Sequence, residues 1–313
     1  MMASSSAKRP ASPSPHAEPA EKAARTGGNV PAVHTAQPQP PTVLDGGYVD
    51  WLVGNHPSLR PFADVLAAAR DVFLRLRQVN VTVDALSNLA TGTYMWPTSV
   101  AKPRKRGEVD RFFGPSQEEF VMMGRRFVRS VVDAVGEDRR IFLYGPQGVG
   151  KSHVLAAVAL FCSVRRAKGE VGAPPVCFIP DMKGALEHPV YMFQCLLQTF
   201  IDQPDVLGGL ANVHFDIPAL VDWARLRSGI LFIADQCNEV GNTQLPKDLA
   251  LNEMVESVGP FNWLLFAASS NQTKVDVFYV GSGGDKALKM MVEKFSYEEY
   301  CVLGIGTGTK VPV

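Results

Sequence analysis

The sequence carries no surplus of charge, its 31 lysines and arginines being matched by 31 aspartates and glutamates. A chain so balanced has no whole-surface field to gather nucleic acid or an anionic membrane, so either partner would need a local patch. Cysteine is scarce and unpatterned. The five, Cys162, Cys177, Cys195, Cys237 and Cys301, are odd in number and widely spaced with no CxxC pair. That argues against a disulfide framework or a zinc ribbon and for buried free thiols in a reducing compartment. The six histidines fall at no metal-ligand spacing. No stretch approaches the run of about 18 apolar residues that a membrane span needs, and the amino terminus lacks the apolar region of a secretory signal. The expectation is a soluble intracellular protein, cytoplasmic or nuclear, with no membrane partner.

What is present suffices for a sizeable core: 46% of the 313 residues are apolar and 20% charged. Residues 1–44 stand apart. They hold eight of the 23 prolines and almost no large apolar side chains, a composition that cannot offset its own ordering entropy and predicts a disordered tail. Residues 45–114 predict a small helical lead-in, with Phe62, Val65, Leu66, Val72, Phe73 and Leu76 at helical spacing. It is followed from Thr91 to Gly114 by a linker carrying the basic run Lys102-Pro103-Arg104-Lys105-Arg106.

From 115 to 303 the pattern is that of one α/β domain. Ser116 followed by Glu119 forms a capping box, predicting a helix with Phe120, Phe127, Val128, Val131 and Val132 on its apolar side and Arg125, Arg126 and Arg129 elsewhere. Apolar strands are expected at Ile141–Tyr144, Val176–Ile179, Ile230–Ala234 and Trp263–Ala268. Helices are expected at about Lys151–Arg166, Val190–Ile201 and Ala219–Arg227. Strands alternating with helices of these lengths predict a parallel sheet flanked by helices. Residues 304–313 are expected to be a flexible glycine-rich tail.

One motif carries most of the chemistry. Gly145-Pro146-Gln147-Gly148-Val149-Gly150-Lys151-Ser152 satisfies G-x-x-x-x-G-K-[ST], the P-loop pattern. Its glycines let successive backbone N–H groups face the phosphates, Lys151 supplies a mobile cation and the Ser152 hydroxyl can ligate magnesium. A chain of this length shows the pattern by chance about once in a hundred. It also follows an apolar strand and opens a helix, whose amino terminus favours an anion. His153, next in line, is expected to border the site as a packing residue. The second magnesium ligand should be an acid ending a neighbouring buried strand, and Asp235, after Ile230–Ala234, fits. Gln236 follows it. Glutamine cannot accept a proton but can orient water, so slow hydrolysis is expected. Glu239 is a weaker candidate for a base. Asn271, in the Ser269-Ser270-Asn271 stretch after the Trp263–Ala268 strand, is placed to bond the γ-phosphate or the attacking water. The candidate catalytic set is thus Lys151, Asp235, Gln236 and Asn271.

These stretches, with Phe178-Ile179-Pro180-Asp181 and Ile233-Ala234-Asp235-Gln236-Cys237-Asn238, give a sequence that resembles the Crinkler effector and trypanosome retrotransposon-hot-spot NTPases, whose P-loop module is AAA/STAND-like. The likeness spans about residues 115 to 300. It implies a regulatory ATP-binding and ATP-hydrolysing module with magnesium and a protein partner, in families whose members are linked to host-directed effectors or to the nucleus. It also makes the glutamine after Asp235 a family feature. Crinkler-type proteins commonly carry a further carboxy-terminal output domain, which is not expected in a sequence written to Val313. The alternative is a nucleotide-binding interaction module that does not turn over. A small-molecule kinase would need an acid and arginine cluster near the loop, and none stands out.

Overall fold

The strands that form the core are apolar over most of their length, and that property places them in the interior of a parallel sheet. Three of them, Arg140–Tyr144 (β3), Val176–Ile179 (β4) and Leu231–Ala234 (β5), are buried along their lengths, with only the two ends of β3 partly exposed. A strand buried on both faces needs helices above and below it, which is the α/β arrangement. The computed structural model describes residues 40–88, 91–100, 118–137, 140–146, 149–237, 262–267 and 288–292. Most of the two expected tails, the basic run Lys102–Arg106, Ser116, Glu239 and the Ser269–Asn271 stretch lie outside the described residues.

With Trp263–Ala267 (β6) and Leu288–Met291 (β7), these strands form a five-stranded sheet in the order β4-β5-β6-β3-β7. Every pairing in it is parallel. The α/β class with a parallel sheet is therefore as the sequence pattern indicates. The register aligns Ile179 with Ala234, Ala234 with Phe266, Leu143 with Ala267 and Tyr144 with Met291, so all five strands end at one edge. β7 was not foreseen, because its Lys289 interrupts the apolar run.

Helices follow where caps and periodicity put them. Tyr48–Asn55 (α1) leads through a 3-10 turn, Pro57–Phe62, into Ala63–Gln78 (α2). α2 buries Leu66, Ala69, Val72, Phe73 and Leu76, and carries Asp64 in its first turn and Arg75 and Arg77 in its last, as its dipole favours. Val83–Ser87 (α3) is capped by the Thr82 hydroxyl, which accepts from the Ala85 N–H. After Arg126–Glu137 (α4) comes Lys151–Ala167 (α5), buried over most of its surface and packed on β4, β5 and β6 with α2 and α4 beside it. Met182–Glu187 (α6), Pro189–Thr199 (α7), Pro204–Leu210 (α8) and Ile217–Arg225 (α9) complete the described helices. No helix among the described residues is long and apolar enough to cross a membrane.

Two sequence expectations are corrected. The capping box does not start a helix: Glu119 opens a strand, Glu119–Met123 (β2), and α4 begins only at Arg126. The linker contains a strand of its own, Thr91–Met95 (β1), which pairs antiparallel with β2. The reason is a period of two. Phe120 and Met122 are buried while Val121 between them is 41% exposed, a sheet pattern that outweighs the local cap. The Tyr94 ring lies tilted and the Trp96 ring edge-on against Phe120, and Trp96 also meets Phe178 of β4. The lead-in helices and this ribbon thus share one apolar core with the sheet.

Candidate functional site

The carboxyl edge of the sheet gathers the candidate residues. At the end of β3 the chain turns through Gly145, whose φ of 145° and closeness to β7 leave no room for a side chain: a Cβ would lie 2.5 Å from the Val292 carbonyl oxygen. The loop closes at Gly150, left-handed with φ 86°, directly before α5. Gln147 and Gly148 lie outside the described residues. Pro146 is exposed, Val149 buried and Ser152 part-buried in the first turn of α5. Lys151 is only 9% exposed, and its Nζ donates to the Gly145 and Pro146 carbonyls, each at 2.7 Å. Burial pushes this ammonium below the usual lysine range, and the charge of Asp235 works against that shift. His153 is part-buried on α5.

Asp235 follows β5 and is 6% exposed. Its backbone N–H donates to the Ile179 carbonyl and its own carbonyl accepts from the Met182 N–H, both at 3.0 Å, which continues the β4–β5 pairing past the strand ends. Its Oδ1 accepts from the Gln236 N–H at 2.8 Å. Gln236 itself has φ 61°, the only described non-glycine residue with a positive φ. That conformation is costly for glutamine and turns the chain sharply just after the acid. The structure therefore brings Lys151, Ser152 and Asp235 to one edge with Gln236 beside them. Asn271 lies outside the described residues.

Three residues at this edge were not picked out as site residues from the sequence. The sequence pattern puts Arg125 on the polar side of a helix. It is instead 4% exposed, and its Nη1 donates to the Val149 carbonyl at 2.5 Å, while a Cβ on Gly150 would lie 3.6 Å from the same nitrogen. Its position follows from Gly124, where a Cβ would come 1.8 Å from the Asn88 carbonyl oxygen. A glycine directly after an alternating strand was the available signal. Asp181, seen only as a strand end, is 9% exposed; its Oδ1 accepts from the Gly184 N–H at 3.0 Å and caps α6. Tyr191 on α7 is 9% exposed, and its hydroxyl is buried with no hydrogen bond of normal geometry. Burial pushes its phenol far up, with Cys195, Asp181 and Asp235 adding and the Asp181 backbone N–H opposing.

Among the described residues no group of three or more His, Cys, Asp or Glu side chains could by itself hold a metal ion. The class these observations define is an α/β protein with a glycine loop, a buried lysine and a buried aspartate at the carboxyl edge of a parallel sheet. No protein-family model, curated protein or solved structure matches the chain.

Proposed function

We propose that the chain binds ATP with magnesium through a P-loop at Gly145–Ser152 and hydrolyses it slowly, as a regulatory switch. One observation carries the reading: a glycine loop leaves the carboxyl end of an inner parallel strand, enters a buried helix, and has Lys151 in electrostatic contact with Asp235. The strand order supports it. β3 connects to β4 on one flank of the sheet and β6 connects to β7 on the other, so the order switches at β3 and β6, where open sheets bind their ligands. Lys151 and the loop N–H groups would hold phosphates. Magnesium would take the Ser152 hydroxyl and the Asp235 side, the rest of its shell being phosphate oxygens and water. When bound it would neutralise charge on the phosphates.

The test is a melting curve with magnesium ATP. At about 100 times the dissociation constant the added stability should be roughly 2.7 kcal/mol, and Lys151→Ala should abolish the shift. An unchanged shift in that variant rejects the P-loop assignment. Kinship with Crinkler and retrotransposon-hot-spot NTPases belongs to the same proposal and rests on the motifs quoted above, as does ATP over GTP. The second reading, a nucleotide-binding interaction module without turnover, is favoured by Gln236, whose side chain accepts no proton. Steady-state phosphate release by the wild type and Gln236→Glu, with each nucleotide, decides between them.

A further inference from the structure

Gln236, just after β5, accepts no proton, and a carboxylate, Asp181, follows the end of the neighbouring strand. β4 pairs with β5 through Ile179 and Ala234, and the bonds Asp235 N–H to Ile179 and Met182 N–H to Asp235 carry the pairing past both strand ends. Asp181 is thereby set beside the Asp235–Gln236 step. One of its oxygens caps α6 and the other has no partner among the described residues. Behind it, α7 packs on β4 and α6 and brings in Tyr191, nine-tenths buried, whose hydroxyl lies by the Asp181 backbone N–H and whose own proton finds no acceptor of normal geometry among the described residues. Native structures rarely leave a buried hydroxyl unsatisfied, so this one calls for a further acceptor at the edge.

We propose that Asp181 is the proton acceptor for the attacking water and that Tyr191 is its positioning residue, the pair taking the place of an acid at position 236. This rests on the nucleotide-binding reading above. In the step, the water oxygen bonds to the γ-phosphorus as the bond from that phosphorus to the bridging oxygen breaks. The electron pair of the broken bond leaves on the β-phosphate of ADP. The water's proton passes to the free oxygen of Asp181 and from there to the released phosphate or solvent.

The competing explanation is that Asp181 only caps α6. Asn is an equally good cap but accepts no proton, so Asp181→Asn separates the two roles. The expected result is an unchanged melting temperature, an unchanged shift with magnesium ATP, and a kcat lower by roughly 100-fold or more. Tyr191→Phe removes a hydroxyl whose proton has no acceptor among the described residues, so it should melt within a few degrees of the wild type while kcat falls about tenfold at constant KM. Turnover in Asp181→Asn within twofold of the wild type overturns the assignment of Asp181 and leaves nucleotide binding standing. Binding of magnesium ATP by the wild type with no turnover overturns it as well. A wild type whose melting does not respond to magnesium ATP overturns the nucleotide reading and this one together.

Discussion

Single residues at the sheet edge hold the loop in shape. Gly145 must pass close under β7, so Gly145→Ala should cost about 1–3 kcal/mol in urea unfolding through strain and the clash with Val292. Arg125 acts from the other side: it ties the Val149 carbonyl, and Arg125→Met should leave that buried acceptor unpaired. A loss of about 1–3 kcal/mol is expected, together with weaker magnesium ATP binding; unfolding midpoints and titration of the nucleotide measure the two effects. The thiols give a pH prediction. Burial pushes Cys162 and Cys177 up to about 12 from 9.0, so the folded chain holds their protons where the unfolded chain releases them. This contribution to stability is fully present below pH 9 and is lost as pH rises toward 12. In a Cys301→Ser chain, the four remaining cysteines, all buried, should resist a thiol reagent at pH 8 until the protein is unfolded.

At the scale of elements, the contest between local and tertiary signals is clearest at β2. A serine three residues before a glutamate favours a helix start by about a kilocalorie per mole, whereas seating Phe120 and Met122 in the core and pairing with β1 are worth several times that. The strand wins. Phe120→Ala should therefore cost about 3–5 kcal/mol, while Val121→Thr on the open face should stay within about 0.5 kcal/mol. Denaturant midpoints distinguish this alternation from a helical face. Elsewhere the local signals agree with the outcome. Asp216 accepts from the Ala219 N–H to start α9, whereas the start of β5 is held by a distant residue, Asn262, which accepts from the Ile230 N–H at 2.8 Å and donates to the Arg227 carbonyl at 3.0 Å.

Over the whole described molecule, the helices before residue 88 are part of the same core as the sheet. Leu52, Leu59 and Leu66 are fully buried, α2 packs on α5 and α7, and the Tyr48 hydroxyl donates to the Ile201 carbonyl at 2.6 Å. An ion pair of 2.8 Å between Arg166, at the end of α5, and Asp202 lies beside that contact. A chain begun at residue 115 should accordingly fail to unfold cooperatively, exposing the apolar faces that α1 and α2 cover. Circular dichroism melts of the shortened and full chains test this. Cooperative unfolding of the short form would show that the lead-in is dispensable.

The alternation of helices with buried strands, the glycines of the loop and the acid at Asp235 are legible in the sequence, because each is written in contiguous residues with a local period or spacing. Short, continuously apolar strands such as Leu231–Ala234 need cover on both faces of their sheet. Tertiary structure alone decided which strands are neighbours and in what register. It thereby placed Asp181 beside Asp235, Arg125 under the loop and the buried Tyr191 hydroxyl at the same edge. Asp181 with Asp235 and Arg125 with Val149 join residues more than 20 positions apart, and no local pattern encodes them or the packing of α7 against β4.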